Sequence, residues 1–153
     1  MNMKKLLVLI LTLIPALTQA ANKQEKLYMY AFAASFNDST VYFTDIMEVD
    51  SAWIDAKTKF LYSRENYSYQ FRDFLKRRGV DYPTCVTTYA LTRKAVEKKY
   101  FSMKKRYTEK GKYDIKYIAA NEFSFTPIKP EANEIATKEK AVKEKPAKKK
   151  KGK

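Results

Sequence analysis

Aromatic and small apolar residues alternate with other residues between positions 27 and 36, which is the pattern of a β-strand. The residues of one parity are Tyr28, Tyr30, Phe32, Ala34 and Phe36. Asn37, Asp38 and Ser39 follow, and residues of this kind favour turns. Positions 40–49 are again rich in β-branched and aromatic residues. The two segments and the short turn between them predict a β-hairpin.

Two later segments show the spacing of a helix with one apolar face. The first follows Ser63, a good N-cap residue, and ends before Gly79, which suits a helix C-terminus. Its apolar residues are Tyr67, Phe71, Phe74 and Leu75. The second follows Thr92 and ends before Gly111, and its apolar residues are Val96, Tyr100, Met103 and Tyr107. We therefore predict two amphipathic helices.

The remaining segments complete an α+β pattern. Positions 84–90 are rich in β-branched residues, and residues 113–117 alternate between apolar and charged. Positions 50–62 predict a turn and a short extended piece. The order strand, strand, helix, strand, helix, strand predicts an α+β fold with a small mixed sheet of about four strands and two helices packed on one face. The last strand, helix and strand are expected to form a right-handed parallel crossover.

Residues 1–20 have the features of a cleaved export signal. Lys4 and Lys5 supply the positive start, and residues 6–17 form a mainly apolar run. Small residues occupy the positions that a signal peptidase recognises, so we expect cleavage after Ala20. An apolar run of about 12 residues is shorter than the roughly 20 that span a bilayer, which disfavours a retained anchor. The sequence therefore predicts a periplasmic or secreted protein with no integral membrane span after cleavage.

The composition changes after Phe125. Residues 126–153 contain no aromatic residue, three prolines, ten Lys and four Glu, which gives a net charge of +6. A segment with so little apolar surface does not recover the entropy that ordering costs, so we predict a disordered Lys-rich tail. This tail either tethers the protein to an anionic surface or serves only solubility. Residues 21–125 hold every aromatic residue and are predicted to form a single α+β domain.

The composition excludes several kinds of chemistry. The chain of 153 residues has no His and one Cys, so it offers no His general base, no His-ligated metal and no internal disulfide. Three Gly without a Gly-rich motif give no phosphate-binding loop. Cys85 lies in a predicted strand, where a buried thiol is usually inert. We therefore expect no catalytic residue, no cofactor and no metal site.

The charge is unevenly distributed along the chain. The formal net charge is +14 at pH 7, yet residues 21–56 carry −4 and residues 57–125 carry +10. The predicted polyanion-binding residues on the two helices are Lys76, Arg77, Arg78, Lys98, Lys99, Lys104, Lys105 and Arg106. Such a surface favours lipopolysaccharide, acidic glycans, an anionic bilayer or, less readily, nucleic acid. The alternative is a solvated helix face that only keeps the protein soluble.

Four carboxylates keep an enzymatic alternative open, because paired carboxylates support acid–base catalysis without His. They are Asp45, Glu48, Asp50 and Asp55. Tyr28-Met29-Tyr30 and Tyr42-Phe43-Thr44 resemble the paired motif of the GIY-YIG nucleases, which implies roles for Arg64, Arg72 and Glu97. The glycines of that motif are replaced here by Tyr28 and Thr44. A third alternative is an interaction module whose exposed edge strand pairs with a partner.

Two resemblances concern the setting of the protein. Asp-Ser triplets at Ser39 and Ser51 resemble the motif on which Bacteroidetes O-glycosylate exported proteins, and both are predicted to lie in turns. Over about residues 27–118 the chain also resembles small exported proteins of Bacteroidetes with no assigned activity, in the segments 40–46, 57–61, 67–70, 77–79 and 84–86. This resemblance implies a Gram-negative periplasmic setting and carries over no functional residue.

These features predict a non-enzymatic binding or scaffolding protein of the cell envelope. Its expected partner is an anionic envelope component or an envelope protein, contacted through the cationic helix surface and the tail. The alternative function is that of a carboxylate-dependent hydrolase or nuclease that lacks His.

Overall fold

The computed structural model describes residues 21–132. The elements in chain order are β1 (Asn22–Ala34), β2 (Thr40–Thr44), β3 (Met47–Asp55), α1 (Arg64–Arg77), β4 (Thr84–Ala90), α2 (Arg93–Thr108) and β5 (Asp114–Ile118). The predicted export signal and residues 133–153 of the predicted tail lie outside the described residues. No helix between residues 21 and 132 is both long enough and apolar enough to cross a membrane.

β1 is the central strand of a mixed five-stranded sheet. It pairs antiparallel with β4 along one side and with both β2 and β3 along the other. β5 pairs parallel with β2. These contacts confirm the predicted α+β fold and the β1–β2 hairpin, with one strand more than the four expected. β4 and β5 run in the same direction with β1 and β2 between them, so α2 connects two parallel strands, and the handedness of this connection stays a prediction.

The additional strand arises from a break inside the segment predicted as one strand over residues 40–49. Phe32 lies opposite Phe43, whereas Met29 lies opposite Met47, so β2 and β3 together hold one more residue than the stretch of β1 beside them. This extra residue is a β-bulge. At the break the Ala31 N–H donates to Thr44 Oγ1 over 2.8 Å. β3 then continues to Asp55 through a region predicted as a turn and a short extended piece.

The helix ends lie close to the predicted positions. The Thr92 side chain accepts a hydrogen bond from the Ala95 N–H over 3.3 Å, which is the expected capping contact. Ser63 precedes α1 as predicted, but its φ is 54° and its side chain accepts no hydrogen bond from a backbone N–H of the first turn. Asn66 Nδ2 donates to Ser63 Oγ over 2.6 Å instead. Gly79 follows α1 with φ 79°, the left-handed conformation that glycine adopts without strain.

The two helices pack on opposite faces of the sheet, so the prediction that both cover one face is wrong. Met29 and Ala31 of β1 lie in the core under α1, which includes Phe71. Tyr30 and Phe32 lie in the second core, under α2. The physical reason is visible in β1, whose apolar residues occupy both parities and therefore need cover on both faces.

The segment after β5 closes the α1 face. Phe123 and Phe125 are buried in the α1 core, and Ile128 packs against it. The backbone N–H and C=O of Thr126 bond to the amide side chain of Gln70 over 2.8 and 2.9 Å. The Ile128 N–H donates to the Tyr67 hydroxyl over 3.0 Å. The packed domain therefore extends past the predicted boundary at residue 125.

Candidate functional site

The eight predicted polyanion-binding residues do not form one surface, because α1 and α2 lie on opposite faces of the sheet. Lys76, Arg77 and Arg78 are at the C-terminal end of α1. Arg78 is already engaged: its guanidinium lies 4.5 Å from the centre of the Phe74 ring and 2.8 Å from Glu122 Oε2. The remaining five predicted residues are on α2.

We call the set of basic residues on α2 the α2 cationic face. It consists of Arg93, Lys94, Lys98, Lys99, Lys104, Lys105 and Arg106. The only carboxylate on this helix is Glu97, which pairs with Arg93 over 3.0 Å. Lys105 pairs with Glu109 over 3.4 Å, but both side chains are highly exposed and such pairs contribute little. The other five cations form no ion pair within residues 21–132. Lys99 donates to Tyr89 O and Lys104 lies over the Tyr117 ring, whereas Lys94, Lys98 and Arg106 are exposed and direct their charge to solvent.

The N-terminal end of α2 borders a hollow of about 730 Å³, which we call the α2 groove. Its apolar surface includes Phe60 and Leu91, which are 71% and 42% exposed. Lys59, Arg64 and Lys99 also line it, and no acidic side chain of residues 21–132 does. The groove therefore combines an apolar surface with three cations, a composition that suits an anionic ligand carrying apolar parts.

Hydrogen bonds to the backbone hold the groove cations in place. Arg64 Nε donates to Thr87 O and Lys99 Nζ donates to Tyr89 O, each over 3.0 Å. Lys59 Nζ donates to Ala56 O over 2.6 Å. The Tyr89 hydroxyl accepts from the Leu61 N–H over 2.9 Å and donates to Lys59 O over 3.2 Å. These bonds fix the loop before α1 against the end of β4.

The sequence analysis did not predict the groove, because a large aromatic residue such as Phe60 is usually buried. Lys59 has φ 62°, and the turn at this point leaves the Phe60 ring in solvent while Leu61 points into the α1 core. A large aromatic residue beside a lysine, just after a polar turn, was the available signal. Only Lys99 of the predicted polyanion-binding residues lines the groove.

The four candidate carboxylates are dispersed. Glu48 and Asp50 contact Lys26 over 2.7 and 3.4 Å, and the hydrogen bond from Lys26 lowers the pKa of Glu48. Asp55 Oδ1 accepts the backbone N–H groups of Lys57 and Thr58, which is a role in a turn. These carboxylates therefore do not form one acidic site.

Asp45 lies elsewhere, in a hollow of about 340 Å³ that it shares with Arg93, Glu97 and Tyr100. Its Oδ2 accepts the Ala120 N–H over 3.0 Å. Burial raises the pKa of the Tyr100 phenol to about 12, with smaller effects from Tyr117, Asp45 and Tyr30. A carboxylate, a second carboxylate and an arginine thus line one concave surface, although Glu97 and Arg93 pair with each other.

The nuclease-like pattern is not assembled. Tyr30 packs under α2, where its ring centre lies 5.0 Å from that of Tyr100, whereas Tyr42 packs against the core under α1. Arg64 is anchored on β4, at the α2 groove. Between residues 21 and 132, no three Asp, Glu or Cys side chains are close enough together to hold a metal ion.

Cys85 and the two candidate glycosylation serines have different environments. Burial raises the pKa of the Cys85 thiol to about 12, so this thiol stays protonated at neutral pH, as an inert structural Cys does. Ser39 is exposed in the turn between β1 and β2, as predicted. Ser51 lies half-buried within β3, so the prediction that it lies in a turn is wrong.

The chain matches no protein-family model, no curated protein and no solved structure. The surfaces that bear on function are the α2 cationic face, the α2 groove beside it and the hollow at Asp45.

Proposed function

We propose that this protein is a non-enzymatic binding protein of the cell envelope, exported by its N-terminal signal, that holds an anionic polymer along α2. The observation that carries the proposal is the α2 cationic face, where seven cations occur with one carboxylate and five of the cations lack an ion pair within the described residues. The α2 groove supports it, because Lys99 belongs to both surfaces. The partner is an anionic envelope component such as lipopolysaccharide or an acidic glycan.

The binding energy of such a complex comes largely from the release of counterions. Each phosphate or sulfate that a lysine or arginine neutralises sets free a condensed cation, so affinity falls steeply as the salt concentration rises. Exposed aromatic residues add apolar contact beside the charges. Phe60 at the groove and Phe101 on α2 are 71% and 61% exposed, which is unusual for Phe in a small domain.

The test is a salt titration of binding between residues 21–153 and a labelled heparin oligosaccharide, with two variants of equal net charge. The first combines Lys94→Gln, Lys98→Gln and Arg106→Gln on α2. We expect its slope of log affinity against log salt to fall by about 2 to 3, since roughly 0.7 to 0.9 ions are released per contact.

The matched control removes three charges from the other side of the sheet, by Lys76→Gln, Arg77→Gln and Lys129→Gln. We expect the control to keep most of the slope. Equal losses in both variants would show that only net charge matters, and a salt-independent affinity would exclude the electrostatic mechanism. A chain ending at Ala132 measures what the tail contributes, and N-terminal sequencing of the exported protein tests cleavage after Ala20.

A hydrolase is the second candidate, favoured by the hollow in which Asp45, Glu97 and Arg93 meet. Its test is turnover of glycoside and phosphodiester substrates by the unmodified protein, by Asp45→Asn and by Glu97→Gln. Activity that both substitutions abolish would establish this function. Turnover that survives both substitutions would place the activity elsewhere or in a contaminant.

A further inference from the structure

β5 has an open edge. Its pairing with β2 is parallel, and in a parallel pair the N–H and C=O of one residue point to the same neighbouring strand. The Asp114 N–H donates to Ser39 O and Ile118 O accepts from the Asp45 N–H, each over 3.0 Å, so the even-numbered residues bond toward β2. The N–H and C=O groups of Ile115 and Tyr117 therefore point away from the sheet, where no strand of residues 21–132 pairs with them.

The outer edge of β4 is different, because side chains already occupy it. The Thr87 N–H donates to Ser68 Oγ, and Thr87 O accepts from Arg64 Nε, each over 3.0 Å. Tyr89 O accepts from Lys99 Nζ over 3.0 Å. These contacts block a further strand at β4, and no side chain between residues 21 and 132 bonds to the outer edge of β5 in this way.

We propose that β5 pairs antiparallel with β5 of a second copy of the chain, across a two-fold axis at Ile115. In this register Ile115 lies opposite its own copy and Tyr113 lies opposite Tyr117, which brings together the backbone groups that point outward. On the other face of the sheet, Asp114 of each copy lies opposite Lys116 of the other copy, so this oppositely charged pair occurs twice. The edge is therefore complementary to itself in hydrogen bonding, in charge and in side-chain size.

Exposure and charge select this register. Tyr113 and Tyr117 are 38% and 50% exposed, and the pairing covers both. An axis at Tyr117 would instead set Lys116 opposite Ile118 and leave Asp114 without an opposite charge. A lysine on an edge strand normally discourages pairing, so Lys116 permits it only where a carboxylate lies opposite.

The axis is perpendicular to the joined sheet, since adjacent antiparallel strands are related by such two-folds. The α2 helices of both copies then lie on the same side of one continuous sheet. The contact itself does not depend on the proposed function, because it forms between the β5 backbones. It borders the α2 cationic face only at Lys104, whose Nζ lies 4.7 Å from the centre of the Tyr117 ring.

Sedimentation velocity of residues 21–153, from micromolar to near-millimolar concentrations, tests the dimer. Asp114→Lys and Lys116→Asp each turn two attractive pairs into repulsive ones, so we expect each to weaken dimerisation about tenfold. The double variant restores opposite charges across the axis and should return to within about threefold of the unmodified protein. A protein that stays monomeric throughout, a dimer that neither substitution weakens, or a double variant as weak as the singles would overturn the proposal.

Amide hydrogen exchange provides an independent measurement. The amides of Ile115 and Tyr117 should become protected only as the concentration rises, whereas the amides of Asp114 and Lys116 should be protected at every concentration. Exchange at Ile115 and Tyr117 that is fast at all concentrations would contradict the pairing.

Discussion

The two faces of the sheet are covered by different kinds of side chains. α1 contributes four buried side chains to its face, and the segment after β5 adds Phe123 and Phe125. α2 has a single buried residue, Val96, and covers its face with partly exposed residues such as Tyr100 and Tyr107. Rings meet at angles across this second face, for example Phe32 and Tyr107 with centres 4.7 Å apart. The α1 face is thus a closed apolar core, and the α2 face is a thin aromatic layer beneath a cationic helix.

This difference separates stability from binding. The hydrophobic free energy follows the apolar area removed from water, which is concentrated under α1. The charges of α2 point outward and its tyrosines are partly exposed. Substitutions of surface residues on this face should therefore change the unfolding free energy little. Substitutions on the α1 face should therefore mainly lower stability, whereas substitutions on the α2 face should mainly affect binding.

The largest expected effect is that of Phe71→Ala. Phe71 is fully buried and its ring packs against Phe74 and Phe123, with centres 6.1 and 5.1 Å away. Truncating such a ring costs about 3–5 kcal/mol of unfolding free energy, because it leaves a cavity as well as losing apolar contact. Urea unfolding followed by circular dichroism measures the loss.

The matched control is Phe101→Ala on α2, where the ring is 61% exposed. We expect it to change the unfolding free energy by less than about 0.5 kcal/mol. A loss at Phe101 similar to that at Phe71 would mean that the α2 face is a second structural core, and the comparison would then be wrong.

An intermediate effect is expected from shortening the chain. A protein that ends at Phe125 loses the two Gln70–Thr126 hydrogen bonds and the bond from Ile128 to Tyr67, and it exposes the apolar surface that Ile128 covers. We expect the unfolding free energy of this shortened protein to fall by about 2 kcal/mol, which thermal unfolding measures. A protein that ends at Ala132 keeps these contacts and should match the full chain. Equal stability of the two truncated proteins would place the domain boundary back at residue 125.

The sequence was informative wherever one local pattern decides the structure. Both helices, the Thr92 cap and the strand at 84–90 follow from spacing and residue type within a few positions. The bulge after Thr44 could not be predicted in this way, because it depends on a hydrogen bond to Ala31, 13 residues earlier. The packing of the two helices on opposite faces could have been predicted, since the apolar residues of β1 occupy both parities and need cover on both faces.

The candidate site was predicted less well, for a related reason. The α2 cationic face could be read from one helix, whereas the groove joins a turn, the end of β4 and the start of α2. Lys59 and Arg64 are unremarkable in sequence, and Arg64 is held at the groove by its hydrogen bond to Thr87 O, which lies 23 residues later in the chain. Tertiary contacts of this kind leave no local pattern.

The smallest expected effect concerns the pH dependence of the protein's stability that Tyr100 of α2 causes. Burial raises the pKa of Tyr100 to about 12 in the folded protein, from about 10 in an unfolded chain. Between these values the unfolded chain has lost the phenolic proton and the folded chain retains it, so stability falls as the pH rises from about 10 toward 12. Tyr100→Phe removes this titration and should recover about 1 kcal/mol of the loss, less than the full shift implies because the ring is partly in contact with solvent.

The measurement is urea unfolding of both proteins from neutral pH to above pH 11. Burial also raises the pKa values of Tyr30 and Tyr67, so the unmodified protein and the variant will both lose stability, and the difference between them isolates Tyr100. Tyr82→Phe serves as the control, because Tyr82 is 80% exposed and no stability difference should appear. Parallel curves for Tyr100→Phe and the unmodified protein would show that water reaches the Tyr100 hydroxyl freely. The α2 layer would then be even thinner than its partly exposed tyrosines indicate, and its contribution to the fold would rest on Val96 and the buried residues of the sheet beneath it, among them Tyr30, Phe32, Val41 and Phe43.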